Sequence, residues 1–321
     1  MTRLRVGCVG TGFIAGRHLA ALSGFGDVEV VAVADPVRER AEVAAARVGA
    51  RAHADGLALL DAEELDAVWL CVPPFAHGPL ETAAVARGLP FFVEKPLALD
   101  LDTAREVARQ VEDRGLTTAV GYHWRQLDVV RRAARLVPAG AARLVTGSWL
   151  DKTPGVPWWP RRDGSGGQVV EQTTHVFDLA RLLAGEVVSV AAAERPAADD
   201  GDVSTAAVAV LTFASGAVGS ISSTRVLGWR HSVGLQVVAD GQVLELTERS
   251  LDDHELRVVT ADGEEVHHTD ADPIAAEDRE FVDVLLGRAE RVQVPYAEAL
   301  RTHALACAAD RAARDGGTVR L

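Results

Sequence analysis

Short apolar runs alternate with amphipathic segments through the first third of the chain. The runs predict strands at residues 4–9, 28–34, 67–72, 90–94 and 117–121. The segments between them predict helices. One follows the first strand and runs through Leu22, and the others cover residues 37–48, 57–64, 78–87 and 101–114. Strands that alternate with helices are typical of a parallel, doubly wound sheet. We therefore expect an α/β fold whose N-terminal Rossmann domain covers residues 1–121.

The pattern changes after Gly121, where strands dominate. They are predicted at residues 143–150, 187–193, 204–213, 217–225, 232–239, 242–247, 255–260 and 265–268, with hairpin turns at Asp240-Gly241 and Asp262-Gly263. Residues 122–125 are predicted to lead into a helix that runs through Val137, and two helices at residues 275–286 and 297–314 close the chain. This indicates an α+β domain over residues 122–321 with a large, mostly antiparallel open sheet, whose final helix is available to pack back on the first domain.

One face of that second sheet is expected to be covered by another subunit. Small or polar positions alternate with apolar ones, as at Val208, Val210 and Thr212, and an antiparallel sheet can present one face to solvent or a partner. A homodimer or homotetramer through this C-terminal sheet is therefore predicted.

The charge balance excludes several classes of partner. The 321 residues carry a formal net charge of −13, so no global positive field attracts nucleic acid or anionic lipid. No apolar run reaches the ~18 residues of a membrane span. The three cysteines, Cys8, Cys71 and Cys307, are widely spaced, which argues against a disulfide framework or a zinc site. A cytoplasmic protein without a bound metal and with a small-molecule ligand is expected.

A glycine-rich turn follows the first strand. Gly10-Thr11-Gly12-Phe13-Ile14-Ala15 matches G-x-G-x-x-A, in which Gly10 allows the tight turn, Gly12 the approach of a pyrophosphate and Ala15 close helix packing. Thr11, Phe13 and Ile14 lie in the same loop and are expected to contact the cofactor.

Asp35 ends the second strand, 23 residues after Gly12. An acid near this offset accepts hydrogen bonds from the adenosine ribose and repels a 2′-phosphate, which predicts NAD over NADP. Arg38 and Arg40 keep NADP open as a weaker alternative. A second interpretation is that Asp35 only caps the next helix, with Pro36 at its first position.

Two further loops are expected at the same edge of the sheet. Pro73-Pro74-Phe75-Ala76-His77 would border the nicotinamide ribose, with His77 either a base or, as is more common, a contact at the start of a helix. Glu94-Lys95-Pro96 ends the fourth predicted parallel strand. A partly desolvated lysine there suits proton transfer, although a surface lysine paired with Glu94 is the ordinary alternative.

The second half carries a long loop and a polar helix. Residues 151–167 include Trp158, Trp159, Arg161 and Arg162, and a loop of this length is usually functional or mobile. A single helix is predicted from Gln168 to Gly185, with Glu171, His175 and Asp178 on one face. Either carboxylate could orient the imidazole, or the face could simply be a solvated polar stripe.

Taken together, these motifs resemble the glucose-fructose oxidoreductase, inositol dehydrogenase and rhizopine-catabolism (Gfo/Idh/MocA) family. The matching residues are Gly10-x-Gly12-x-x-Ala15, Cys71-Val72-Pro73-Pro74 with His77, Glu94-Lys95-Pro96, Arg125, Gly166-Gly167, and Glu171, His175 and Asp178. The resemblance implies a Rossmann domain joined to an α/β domain and oxidation or reduction of a sugar, inositol or related polyol with NAD(P).

By that resemblance, Lys95 and His175 lie beside the reacting hydroxyl, one as proton acceptor and the other as its hydrogen-bonding partner. Family members usually carry Asp four residues before the histidine, whereas this chain has Glu171. The extra methylene leaves a role in orienting His175 open and puts direct substrate contact in question.

Residues of the long loop and Arg125 are the remaining candidates for substrate contact. Trp158 or Trp159 could stack on a sugar ring, and Arg125, Arg161 or Arg162 could hold hydroxyl or carboxylate groups. Packing of the tryptophans at the domain junction is the alternative.

The predicted function is therefore an NAD-dependent dehydrogenase or reductase acting on the hydroxyl or keto carbon of a carbohydrate-like alcohol. An enzyme that uses the hydride transiently for elimination or epimerisation is one alternative. A nucleotide-binding regulator without turnover is another.

Overall fold

The computed structural model describes residues 3–197, 200–269 and 271–321, and the chain forms two compact units. The first consists of Met1–Ala98, Asp102–His123 and Ile274–Leu300, and the second of Leu99–Leu101, Trp124–Pro273 and Arg301–Leu321. The prediction divided the chain into two contiguous domains and placed residues 274–300 in the second. In the structure these residues belong to the first unit.

The first unit is built on a six-stranded parallel sheet with the strand order β3-β2-β1-β4-β5-β6. Its elements are β1 Leu4–Val9, α1 Phe13–Gly24, β2 Val28–Ala34, α2 Arg38–Val48, β3 Arg51–His53, α3 Gly56–Ala62, β4 Ala67–Leu70, α4 Pro79–Ala86, β5 Phe91–Val93, α5 Leu101–Arg114 and β6 Thr118–Val120, with 3₁₀ turns at Pro74–Ala76 and His123–Gln126. The predicted Rossmann fold is confirmed.

The late segment joins the first unit because its helix is needed to cover the sheet. In α10, Pro273–Leu285, the side chains of Phe281 and Val282 are fully buried in the core formed with β1, β2 and β4. Phe281 meets Trp69 of β4 edge to face, with ring centroids 5.3 Å apart. Burial of an aromatic ring of this size stabilises a core by about 2–3 kcal/mol.

The second unit is dominated by a nine-stranded sheet. Its elements are α6 Asp128–Leu136, β7 Ala142–Leu150, α7 Arg162–Ser165, α8 Gln168–Glu171, α9 Thr174–Ala184, β8 Val187–Arg195, β9 Ala206–Phe213, β10 Val218–Thr224, β11 Ser232–Ala239, β12 Gln242–Ser250, β13 Asp253–Thr260, β14 Gly263–His268, α11 Tyr296–Asp315, whose first residues belong to the first unit, and β15 Thr318–Arg320.

The strand order is β14-β13-β12-β11-β7-β10-β9-β8-β15. Among the described strands of this second sheet, only β7 and β10 pair in parallel. This confirms the predicted, mostly antiparallel open sheet. Alternate residues on each strand are buried, as in β9, where Ala207, Ala209 and Leu211 point to the core and Val208 and Val210 to the opposite face.

The helix predicted from Gln168 is interrupted. Thr173 donates its amide to the carbonyl of Gln168 at 3.0 Å, five residues back, and its hydroxyl to the same oxygen at 3.2 Å. An i→i−5 bond widens the turn, so α8 ends at Glu171 and α9 begins at Thr174. The prediction of one continuous helix was wrong, and Glu171 and His175 lie on separate helices.

No helix within residues 3–197, 200–269 and 271–321 is long and apolar enough to cross a membrane.

Candidate functional site

The glycine-rich turn leaves the start of α1 open. Gly10 has φ of +91° and donates its amide to Ala34 at 2.8 Å, and a Cβ there would collide with the carbonyl of Cys71. A Cβ on Gly12, by contrast, would meet no described atom within 4 Å. The fold itself thus requires glycine at position 10. The space beside Gly12, by contrast, is not filled by any other described residue. That space suits the pyrophosphate of a dinucleotide at a helix N-terminus.

Asp35 connects this turn to the second strand. Its Oδ2 accepts hydrogen bonds from the Thr11 amide at 3.1 Å and the Thr11 hydroxyl at 2.8 Å, and its Oδ1 accepts one from the Val37 amide at 2.9 Å. Helix α2 starts at Arg38 with Val37 as N-cap. Pro36 is therefore not its first residue, contrary to the alternative interpretation of Asp35 as a helix cap. Asp35 therefore fixes the loop while its carboxylate stays beside the turn.

His77 opens α4. Its Nδ1 lies 2.6 Å from Glu81 Oε1, and the other oxygen of Glu81 accepts the Gly78 amide at 2.6 Å. Both the His77 and Glu81 side chains are fully buried. This geometry is that of a helix-start contact, the more common of the two roles predicted for His77. Pro73 precedes it as the N-cap of the Pro74–Ala76 turn.

Lys95 follows β5, beside β4 in the sheet. Because Gly10, Asp35, Pro73 and Lys95 follow the carboxyl ends of neighbouring parallel strands, the first unit gathers them at one edge, where ligands bind in open α/β sheets. Lys95 is half-buried. Its backbone amide donates to Glu94 Oε2 at 3.1 Å.

Glu94 is buried next to His18 of α1, whose Nε2 lies 3.0 Å from Glu94 Oε1. Burial raises the pKa of Glu94, but the hydrogen bond and charge of His18, with smaller contributions from Lys95 and His123, outweigh it and hold that pKa below its usual value. Glu94 is thus an anion at neutral pH. Glu94 thus has a buried partner, His18, that the prediction did not include. Its pairing with the Lys95 ammonium stays a prediction.

In the second unit, Trp159 is fully buried and donates its indole N–H to Glu171 Oε2 at 2.6 Å. A ring without exposed surface offers no face to a sugar, so the predicted stacking role of Trp159 is not supported. The indole instead fixes the carboxylate of Glu171, a contact that sequence reasoning missed. Trp158 is half-buried and remains a candidate for stacking.

His175 lies in the first turn of α9 against two tryptophan rings. Its imidazole stacks on Trp149 with centroids 5.8 Å apart and an interplanar angle of 18°, and its centroid lies 5.6 Å from that of Trp124. The residue is only 4% exposed. Two indoles therefore set the plane of the ring, a role that was predicted for carboxylates alone.

Asp178 is engaged by another partner. Arg125 donates from Nε and Nη2 to its two oxygens at 2.7 and 2.6 Å, and the Thr302 hydroxyl donates at 2.8 Å. Arg125 and Asp178 are both buried. Because a bidentate buried pair of this kind is fixed in place, Arg125 anchors α9, and its contact with substrate stays a prediction.

The two arginines of the long loop differ. Arg162 binds Asp310 at 2.5 Å and Glu194 at 2.6 Å, and these carboxylates outweigh the effect of burial and raise the pKa of its guanidinium. Arg161 is exposed, with Asp163 at 3.4 Å. Arg161 is thus the better placed of the two to meet a ligand.

His18 was missed, although its position in the sequence gave a signal. It shares the buried face of α1 with Ala15, Leu19 and Leu22, a spacing of three and four residues. A histidine in such an apolar stripe needs buried polar partners. The sequence did not show that one of them is Asp278, 260 residues away at 2.8 Å.

Comparison with known proteins gives matches along most of the chain. Residues 4–122 match the model "Oxidoreductase family, NAD-binding Rossmann fold" and residues 130–245 match "GFO/IDH/MocA C-terminal domain". Inositol 2-dehydrogenase of Rhizobium meliloti (strain 1021) is 32% identical over 272 residues, which cover 81% of this chain and 80% of that protein.

Solved structures agree. A putative myo-inositol dehydrogenase from Sinorhizobium meliloti 1021 superposes with a TM-score of 0.82 at 26% identity, covering 99% of both chains. The WlbA dehydrogenase from Bordetella pertussis, solved in complex with NADH and UDP-GlcNAcA, gives a TM-score of 0.87 at 24% identity over 99% of both chains. The latter likeness concerns the fold alone.

Proposed function

The chain belongs to the Gfo/Idh/MocA oxidoreductase family, and from that premise we propose that it transfers a hydride between NAD and a hydroxyl or keto carbon of a sugar, inositol or related polyol. The observation that carries the proposal is the edge of the first sheet. There the open turn at Gly12, the carboxylate of Asp35 and the amine-bearing Lys95 follow neighbouring strands.

The residues of the first unit would hold NAD, which supplies the hydride acceptor when bound. The turn from Gly10 to Ile14 would bind the pyrophosphate, and Asp35 the adenosine ribose, with Pro73 and His77 bordering the nicotinamide side. Asp35 already accepts the Thr11 hydrogen bonds on Oδ2 and the Val37 bond on Oδ1. Oδ1 accepts only one of these bonds, so it has a further lone pair for a ribose hydroxyl.

Removal of a hydride from an alcohol carbon also requires removal of the hydroxyl proton. We assign that proton to Lys95, because its amine is carried by the turn after β5, at the edge of the sheet where ligands bind. His175 is assigned to hydrogen bonding with the same substrate hydroxyl, since its ring plane is set by Trp149 and Trp124. Glu171, Trp158 and Arg161 are further candidates for substrate contact.

The test is formation of NADH, followed by absorbance, across sugars, inositols, sugar acids and amino sugars. Lys95→Met removes the amine and keeps the length of the chain, so kcat is expected to fall roughly 10²- to 10⁴-fold, while Kd for NAD stays within about threefold of wild type. A fully active Lys95→Met protein would refute the assignment of Lys95.

The same assay separates the alternatives. Net NADH formation supports a dehydrogenase. Substrate conversion without net NADH, detected by product analysis, supports transient use of the hydride in elimination or epimerisation. NAD binding with no conversion of any compound would support the regulatory alternative.

We also propose that two or four copies assemble through the nine-stranded sheet. Val208, Val210 and Val218 are 46%, 54% and 50% exposed on its outer face, and apolar patches of this kind often mark interfaces. Light scattering after size-exclusion chromatography tests this, because Val210→Glu should yield monomers whereas Val226→Glu, at an exposed position after β10, should not. Cytoplasmic residence is proposed as well, since the three cysteines are free thiols.

A further inference from the structure

A buried charged cluster lies behind the turn that carries Lys95. His18 contacts a carboxylate with each ring nitrogen: Nδ1 lies 2.8 Å from Asp278 Oδ1 and Nε2 lies 3.0 Å from Glu94 Oε1. Trp69 donates its indole N–H to the same Asp278 oxygen at 2.7 Å. The side chains of His18 and Asp278 are fully buried, and that of Glu94 is 7% exposed.

His18 is a cation in this arrangement. Each ring nitrogen faces an acceptor, and only the protonated imidazole has two donors. Burial lowers the pKa of His18, but the charges and hydrogen bonds of Asp278 and Glu94 outweigh it and raise that pKa well above its usual value. The charge of His18 therefore compensates the buried carboxylate of Glu94 and opposes the rise that burial causes in the pKa of Asp278.

The cluster reaches Lys95 through Glu94. One oxygen of Glu94 faces His18, and the other accepts the Lys95 backbone amide at 3.1 Å. The carboxylate of Glu94 also packs closely against Gly121, where an added Cβ would lie only 2.5 Å from its Oε1. A continuous line of contacts thus runs from Asp278 through His18 and Glu94 to the backbone of Lys95.

We propose that His18 and Asp278 are positioning residues for Lys95, and that together with Glu94 they hold the backbone from which its amine is presented to the substrate. The inference rests on the proposed function, since it assigns Lys95 to proton transfer. It adds two residues, from α1 and α10, whose side chains are fully buried. Their effect passes entirely through Glu94.

The pH dependence of the variants has a definite sign. Without the His18 cation, burial raises the pKa of Glu94, so Glu94 becomes protonated at a higher pH and loses strength as acceptor for the Lys95 amide. The acidic limb of the kcat profile should therefore move to higher pH. The other titratable groups that face Glu94 or His18 are Cys71, Lys95, His123, Glu277 and Asp278.

The experiment compares His18→Gln and Asp278→Asn with Glu277→Gln. In the first two, kcat should fall roughly tenfold to a hundredfold, the range expected for displacement of a reacting group by up to about 1 Å. The acidic limb should move to higher pH in His18→Gln, because this variant removes the cation beside Glu94, and Kd for NAD should stay near wild type in both variants. The double variant should be no worse than His18→Gln alone, because the two residues act in series.

Glu277→Gln is the matched control. Glu277 precedes Asp278 on α10 and is 4% exposed, and neither of its oxygens has a hydrogen-bond partner among the described residues. Burial raises the pKa of Glu277 well above its usual value, which favours the neutral acid, and an amide is the closest match to that acid in size and charge. Its kcat and pH profile should match wild type.

Hydrogen exchange of the Lys95 amide gives a readout that is independent of turnover. Exchange should accelerate in His18→Gln and Asp278→Asn and stay slow in Glu277→Gln. If both variants lose thermal stability while the Lys95 amide and the pH profile remain unchanged, the residues are merely structural and the inference is refuted. If Lys95→Met is fully active but the amide responds as expected, the proposed function fails while the geometry stands.

Discussion

Trp159 and Glu171 are joined by a 2.6 Å hydrogen bond from a fully buried indole to a half-buried carboxylate. The bond links the long loop to the end of α8, so it fixes the loop and the acid at the same time. The resemblance to the family led us to expect aspartate at position 171, and in this chain it is the longer side chain of Glu171 that accepts the indole N–H.

Loss of the indole donor should therefore weaken both the loop and the acid. Trp159→Phe keeps an aromatic ring but removes the N–H, which should lower the free energy of unfolding by about 1.5–3 kcal/mol, the usual range for a hydrogen bond to a charged group. Urea unfolding measures this. Trp158→Phe is the matched control and should change stability by less, since Trp158 is only half-buried.

Glu171→Gln separates charge from shape. The amide oxygen still accepts from Trp159, so the free energy of unfolding should remain close to wild type. If the carboxylate raises the basicity of His175, the pH optimum of kcat should shift to lower pH in this variant, because the neutral amide no longer stabilises an imidazolium. A superimposable profile would leave Glu171 with a structural role only.

Asp35 should decide between NAD and NADP. Asp35→Ser removes the charge that repels a 2′-phosphate, so the preference for NAD, measured as the ratio of the two Kd values, should fall at least about tenfold. Asp35 also holds Thr11, so the control is Thr11→Val, which removes only the hydroxyl bond. The control should weaken both cofactors equally and keep their ratio.

Asp27 should make stability depend on acid. Hydrogen bonds from Arg279, at 2.9 Å, and from Arg288 lower the pKa of Asp27 to about 2. Its stabilising contribution is therefore complete above the ordinary pKa of about 3.9 and is lost as the pH falls through about 2. Asp27→Asn should be less stable than wild type at neutral pH, and the difference should narrow on acidification. Urea unfolding over a pH series measures this, and a constant difference would contradict it.

Local patterns were sufficient for most of the first unit. The apolar runs and the spacing of Gly10, Gly12 and Ala15 predicted β1, its turn and α1, because these elements depend on residues close in sequence. Lys95 was found for the same reason, as an amine at the end of a short apolar strand. Strands β3 and β15 were missed because they are largely exposed and form no apolar run, unlike the equally short β5 and β6.

Contacts between distant residues could not be read from one sequence. The break at Thr173 depends on a side-chain hydroxyl that returns to Gln168, and a helical period continues through it unchanged. The burial of Trp159 and the pairing of Arg125 with Asp178 depend on tertiary packing. In the sequence, Trp159 and Arg125 look like ligand contacts, because aromatic and guanidinium groups serve both in packing and in ligand binding.

The return of residues 274–300 to the first unit has a consequence for how the chain is made. A ribosome releases the whole parallel sheet long before it reaches α10, so the nascent sheet stays without Phe281 and Val282, and His18 without Asp278, until most of the protein has been synthesised. Domains generally fold as units in the order of synthesis. Here the first unit is synthesised first but completed late. The strands and helices of residues 124–273 emerge while the face of the parallel sheet that α10 will cover is still exposed.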